Sequence, residues 1–117
     1  YQPDTGSGKY FIELLDRLGI AADVTSKLRP KPGGAAIPSV AAGETEMVVI
    51  SIPGILATPG VVLAGPLPSE LQFYIRFTAG VSSIAREPDG AKALLRYLTS
   101  EEAVSTIRRK GLAAGTP

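Results

Sequence analysis

Residues 46–51 read Glu-Met-Val-Val-Ile-Ser, and the fold reading turns on whether this stretch is a strand. Met47 to Ile50 is wholly apolar and rich in β-branched side chains, which fit a pleated surface covered on both faces. Just upstream, Ala35 to Ala42 reads as a helix, with Pro38 in a first turn where its missing N–H has no partner to lose. Gly43 supplies the stop. A glycine-terminated helix that feeds a buried strand predicts a layered α/β unit.

The neighbouring segments extend that pattern in both directions. Downstream, Pro53-Gly54 and Pro59-Gly60 mark turns, Val61 to Leu63 reads as a short strand and Leu71 to Ala79 as a longer one. Upstream, Tyr10, Phe11, Leu14, Leu15 and Leu18 recur at helical spacing, so Ser7 to Leu18 is an amphipathic helix stopped at Gly19. Ala21 to Ser26 reads as a short helix or turn, and Lys27 to Pro30 as an extended piece. Asp89 to Thr99 and a helix capped by Ser100 finish the chain. Glu101 and Glu102 sit in the first turn of the latter, and Gly111 ends it.

Composition narrows the function. A chain of 117 residues suits one compact unit. Its net charge of +1 argues against a general nucleic-acid or anionic-membrane binder. The basic run Arg108-Arg109-Lys110 lies where it complements a helix dipole. The sequence has no cysteine and no histidine, which removes thiolate chemistry, the usual general base and the commonest transition-metal ligand. Met47 to Gly65 carries no charge, but its proline–glycine pairs break it into short pieces. No membrane span is expected there.

Residues 4–11, Asp-Thr-Gly-Ser-Gly-Lys-Tyr-Phe, imitate a phosphate loop. The strict motif fails, because Pro3 stands where its first glycine belongs and Tyr10 where its metal-binding hydroxyl belongs. Phe11 likewise replaces the third glycine of the dinucleotide fingerprint. A helix beginning at Ser7 still exposes unpaired N–H groups and a positive dipole end, a ready place for an anion. The competing reading is a plain helix cap by Thr5 or Ser7.

Taken together, "SGKYFIELLDRLGI", "AAIPSVAAGETEMVVIS" and "PGVVLAGPLPSELQFYIRF…LLRYLTSEEAVSTIRRKGL" resemble the C-terminal half of molybdate-type periplasmic solute-binding proteins of ABC importers. The resemblance implies one lobe of a type II periplasmic-binding fold: a mixed sheet flanked by helices, with two C-terminal helices. Residues 1–117 are then a single solute-binding-type domain whose companion first lobe lies outside them. In this family two lobes close over a small ligand, here an oxyanion such as molybdate or tungstate, and pass it to a permease. No reaction, cofactor or metal is implied, and the location is periplasmic. Carried residue by residue, the ligand site falls on Ser7, Gly8 and Lys9, on Gly34 and Ala35, and on Ser51.

Departures at Ser51, where relatives carry tyrosine, and at Pro53-Gly54, where they carry Ser-Glu, bear on ligand choice. Backbone N–H groups rather than charge are expected to hold the ligand, so Lys9 should matter little. An effector-sensing domain of a transcription regulator shares the two-lobed fold and is the alternative. An enzyme using Ser7 with Lys9, or Glu44 with Glu46, is a third reading that the lack of histidine and cysteine disfavours. Leu94, Leu95, Leu98, Val104 and Ile107 need cover, which predicts a homodimer.

Overall fold

The computed structural model describes residues 1–113. Its Cα framework divides into two compact units, one from Tyr1 to Tyr74 and one beginning at Ile75.

The first unit is built on helix α1, Gly6–Arg17. Thr5 caps it, its Oγ1 accepting the Gly8 N–H at 3.1 Å. Leu14 and Leu15 occupy the buried stripe. The helix closes on Gly19 at φ 69°, which only glycine adopts without strain, while Gly19 and Ile20 donate to the carbonyls of Asp16 and Leu15. The short helices α2 (Ala21–Thr25), α3 (Ala36–Ala41) and α4 (Ile52–Leu56) follow. The same pair of closing bonds ends α3, where Gly43 donates to Val40 and Glu44 to Ser39. Ala36 and Ile37 of α3 are buried as well. Helix α4 approaches α3 closely, since a β-carbon on Gly54 would stand 2.8 Å from Ile37 Cδ1. Pro53-Gly54, expected as a turn, thus lies inside a helical turn.

The expected mixed α/β sheet is corrected: the described residues contain helices and no strand. Residues 46–51, 61–63 and 71–79 form no ladder. Met47, Val62 and Phe77 are 74%, 91% and 82% exposed, while Val48, Val49, Ile50, Val61, Leu63 and Leu71 are half-buried without pairing. A segment becomes a strand when a neighbour takes its alternate N–H and C=O groups. A β-branched apolar run reports only that it fits such a surface. Ser51 and Gln72 have extended backbone (φ −63°, ψ 137°; φ −73°, ψ 134°), but Leu71 lies in a tight helical turn and no segment pairs with another.

One pairing does occur, too short to count as a strand. The Tyr1 amino group donates to Arg29 O at 3.2 Å, and Lys31 N–H donates to Tyr1 O at 2.9 Å. One residue bracketed in this way by two residues of its neighbour is the parallel alternation. The N-terminal segment and the segment at Arg29–Lys31 therefore run side by side in the same direction. Elsewhere in this unit, Tyr10 of α1 donates its hydroxyl proton to Leu71 O at 2.8 Å. Its ring stacks on Phe73 at 4.7 Å between centroids. These contacts hold the turn at Ser69–Leu71 against α1.

In the second unit α5 (Pro88–Leu98) packs against α6 (Glu101–Arg109). Ser100 Oγ accepts the Ala103 N–H at 3.3 Å, capping α6 as its sequence predicts. Gly111 and Leu112 close α6 by donating to Arg108 and Ile107. Ala103 is buried, whereas Leu94, Tyr97 and Leu98 stay exposed.

Candidate functional site

The parallel pairing decides which loops meet. Each of the two paired segments runs forward through a short loop into a helix, residues 2–5 into α1 and the glycine-bearing residues 32–35 into α3. Here a side chain joins the loops directly: Asp4 Oδ2 accepts the Gly33 N–H at 3.1 Å. Gly33 and Gly34 are both left-handed, at φ 64° and 84°, and their Cβ directions point into open space.

Much of the hydrogen bonding at the α1 start is internal. Thr5 gives its one hydroxyl proton to Gln2 O at 2.9 Å. The 3.2 Å contact between Thr5 Oγ1 and Ser7 Oγ therefore has Ser7 as donor, which leaves Ser7 lone pairs rather than a proton to offer. The Gly8 N–H is taken by Thr5, and Gly8 is buried against Gln2 so tightly that a β-carbon would overlap the Gln2 carbonyl. Lys9 is exposed and belongs to no ion pair among the described residues. It lines a shallow cavity of about 310 Å³ together with Tyr1, Pro3, Gly8, Ile12 and Glu13.

At the second loop, the Ala35 N–H closes a turn onto Pro32 O at 3.3 Å. Lys31 pairs with Glu44 at 2.8 Å and so is held by a carboxylate of its own. Ser51 stands at the entry to α4, exposed and without a side-chain capping bond. Among the described residues no hydrogen bond joins it to Ser7 or Gly34. The structure thus brings the loops of Ser7, Gly8 and Lys9 and of Gly34 and Ala35 together, and places Ser51 on a third element. Asp4 is the residue the sequence reading left without a role. Its partner lies 29 positions away, and no local pattern announces it.

Partial burial lowers the Tyr1 amino group below its ordinary pKa. A larger open cavity, about 570 Å³, lies beside Phe11, Leu28, Met47 and Val49, with Lys27 and Glu46 on its rim. No group of three or more potential metal-ligating His, Cys, Asp or Glu side chains occurs among the described residues. No helix among them is long and apolar enough to cross a membrane.

Residues 2–113 match the family model of bacterial extracellular solute-binding proteins, and the chain belongs to that family. It is also similar to an aconitate isomerase from a Pseudomonas species, at 29% identity over 110 residues. That match covers 93% of this chain and 42% of the relative, so the chain spans less than half the length of the curated protein it matches. No solved structure matches. The expectation that no catalysis accompanies this sequence pattern is corrected, because a relative across nearly the whole chain is named as an enzyme.

Proposed function

We propose that these residues form one ligand-holding lobe, a single solute-binding-type domain, of a periplasmic protein that captures a small anionic solute and serves an ABC permease. The observation that carries this reading is the parallel pairing of Tyr1 with Arg29 and Lys31, which sets two helix-start loops side by side. The ligand sits against Ser7, Gly8, Lys9, Gly34 and Ala35, with Ser51 contributing a hydroxyl from α4. Gly8 and Ala35 spend their N–H groups internally, so their part is close backbone packing. Lys9 supplies the cation, and its share of the binding is larger than a site of pure backbone donors would give it.

A polycarboxylate is favoured over molybdate or tungstate, since the substrate in the relative's name, aconitate, is a tricarboxylic acid. The same name favours a second reading, in which the bound acid is isomerised. Glu13, which lines the small cavity one turn along α1 from Lys9, is then the group that moves a proton.

Calorimetry and thermal shift with cis-aconitate, trans-aconitate, citrate, molybdate and sulfate test this. A ligand at a hundred times its Kd stabilises the folded state by about 2.7 kcal/mol, a readable rise in Tm. The expected result is a rise with at least one tricarboxylate. A flat response to every anion would remove the reading. Incubation with cis-aconitate followed by chromatography separates binding from isomerisation.

The second unit supports a further part of the proposal, self-association through the exposed face of Leu94, Tyr97 and Leu98. Light scattering at tens of micromolar should give twice the 12.1 kDa chain mass. A strict monomer would contradict it.

A further inference from the structure

From Phe73 to Val81 no backbone N–H or C=O enters a backbone–backbone hydrogen bond among the described residues. Only Phe73 O has a partner, the Gln72 side-chain amide at 3.4 Å. The stretch runs without a turn or bend, and residues 73–80 are all exposed, Tyr74 and Phe77 foremost among the large apolar side chains. Its composition is what strand pairing selects: aromatic and β-branched side chains, one charge, no proline and no glycine before Gly80. An unpaired row of donors and acceptors on such residues is a template for another strand.

The order of the residues says which strand fits. Residues 72–78 read Gln-Phe-Tyr-Ile-Arg-Phe-Thr, close to a mirror of themselves about Ile75. Laid antiparallel on a second copy with Ile75 opposite Ile75, they set Phe73 against Phe77, Tyr74 against Arg76 and Gln72 against Thr78, each pair twice. Aromatic pairs and a cation beside an aromatic ring stabilise such ladders, and the one charge never meets its like. Centring the pair on Arg76 would set two guanidinium groups against each other. Centring it on Tyr74 would draw in Leu71, which is held in the tight turn at Ser69–Leu71.

We propose that residues 72–78 are a self-association edge, on which a second copy of this chain pairs antiparallel about a two-fold axis at Ile75. The inference is independent of the ligand reading. It adds this edge to the same two-fold dimer as the exposed face of Leu94, Tyr97 and Leu98, so twice the chain mass remains the expected size.

Charge placed on the axis tests it. Ile75→Lys and Ile75→Glu each set like charges against themselves, while a mixture of the two sets lysine against glutamate. Ile75 is 46% exposed, so both variants should fold, which unchanged amide cross-peaks along α1 and α5 verify. In analytical ultracentrifugation each variant alone should dissociate at least about tenfold more readily than wild type, and the equimolar mixture should recover to within about threefold. Because the chain has no cysteine, Ile75→Cys adds a single thiol. Opposed Cα atoms of an antiparallel pair stand about 4.5–5.5 Å apart, within reach of a disulfide, so oxidised glutathione should convert Ile75→Cys to a covalent dimer. Thr78→Cys should stay uncrosslinked, since Gln72 is what faces it. The proposal is overturned by a wild-type chain that stays monomeric at hundreds of micromolar, by lysine and glutamate variants that each dimerise as wild type does, or by a mixture no tighter than its parts. Equal crosslinking of Ile75→Cys and Thr78→Cys would also overturn it.

Discussion

Helix α1 in the first unit and helix α6 in the second begin with the same chemistry and end with different surroundings. Thr5 caps α1 and Ser100 caps α6 in the same way, each hydroxyl accepting the N–H three residues on. Glycine closes both helices with the same two bonds. Yet Leu14 and Leu15 of α1 are 3% and 5% exposed, whereas α6 buries only the small Ala103 and leaves Val104 and Ile107 half-buried. Caps and stops thus decide where a helix lies along the chain, whereas burial depends on what is brought to it from far away. α1 has such partners, among them Leu71 and Phe73 on Tyr10, and Gln2 on Gly8. On α5, Leu94, Tyr97 and Leu98 stay exposed, while Leu95 is half-buried.

Substitutions can break that contrast at several points. The largest effect is expected at Gly8, where Gly8→Val drives a side chain into the Gln2 carbonyl and should cost more than about 4 kcal/mol or prevent folding of the first unit. Urea denaturation followed by circular dichroism measures it. Leu14→Ala comes next, with a loss of about 2–5 kcal/mol as a buried side chain leaves a cavity. Thr5→Ala and Ser100→Ala should each cost about 1 kcal/mol, and their near equality would sharpen the point that caps act locally. A loss at Thr5 of several times that size would mean that its bonds to Gln2 and Ser7 carry more than a cap. Leu94→Ala should stay within about 0.5 kcal/mol at low protein concentration. A larger loss appearing only at high concentration would locate the self-association face.

The same contrast explains what the sequence could tell. Gly19, Gly43 and Gly111 stop helices, Thr5 and Ser100 start them, and the boundaries of α1, α5 and α6 fall within a few residues of those read from pattern alone. Each of these signals acts between residues a few positions apart. The strands at 46–51, 61–63 and 71–79 were read from the same kind of local signal, and there it misled, because a strand is a relation between two segments. The candidate residues were legible to the same extent. Ser7, Gly8 and Lys9 announce themselves as a helix start. Three contacts are invisible to any periodicity: Tyr1 with Arg29 and Lys31, Asp4 with Gly33, and Tyr10 with Leu71 across 61 positions. The first two turn a pair of ordinary helix starts into one candidate site.

The claim at the centre of this account is that the loops at residues 3–9 and 32–36 form one binding surface. Titrating uniformly 15N-labelled protein with cis-aconitate and following every backbone amide tests it most directly. The account predicts that the moving amides cluster at Thr5 to Lys9 and at Gly34 to Ala36, with Ser51 responding more weakly, and that both clusters saturate at one common Kd. Saturable shifts confined to the helices of the second unit, or two loops that titrate with different constants, would contradict it.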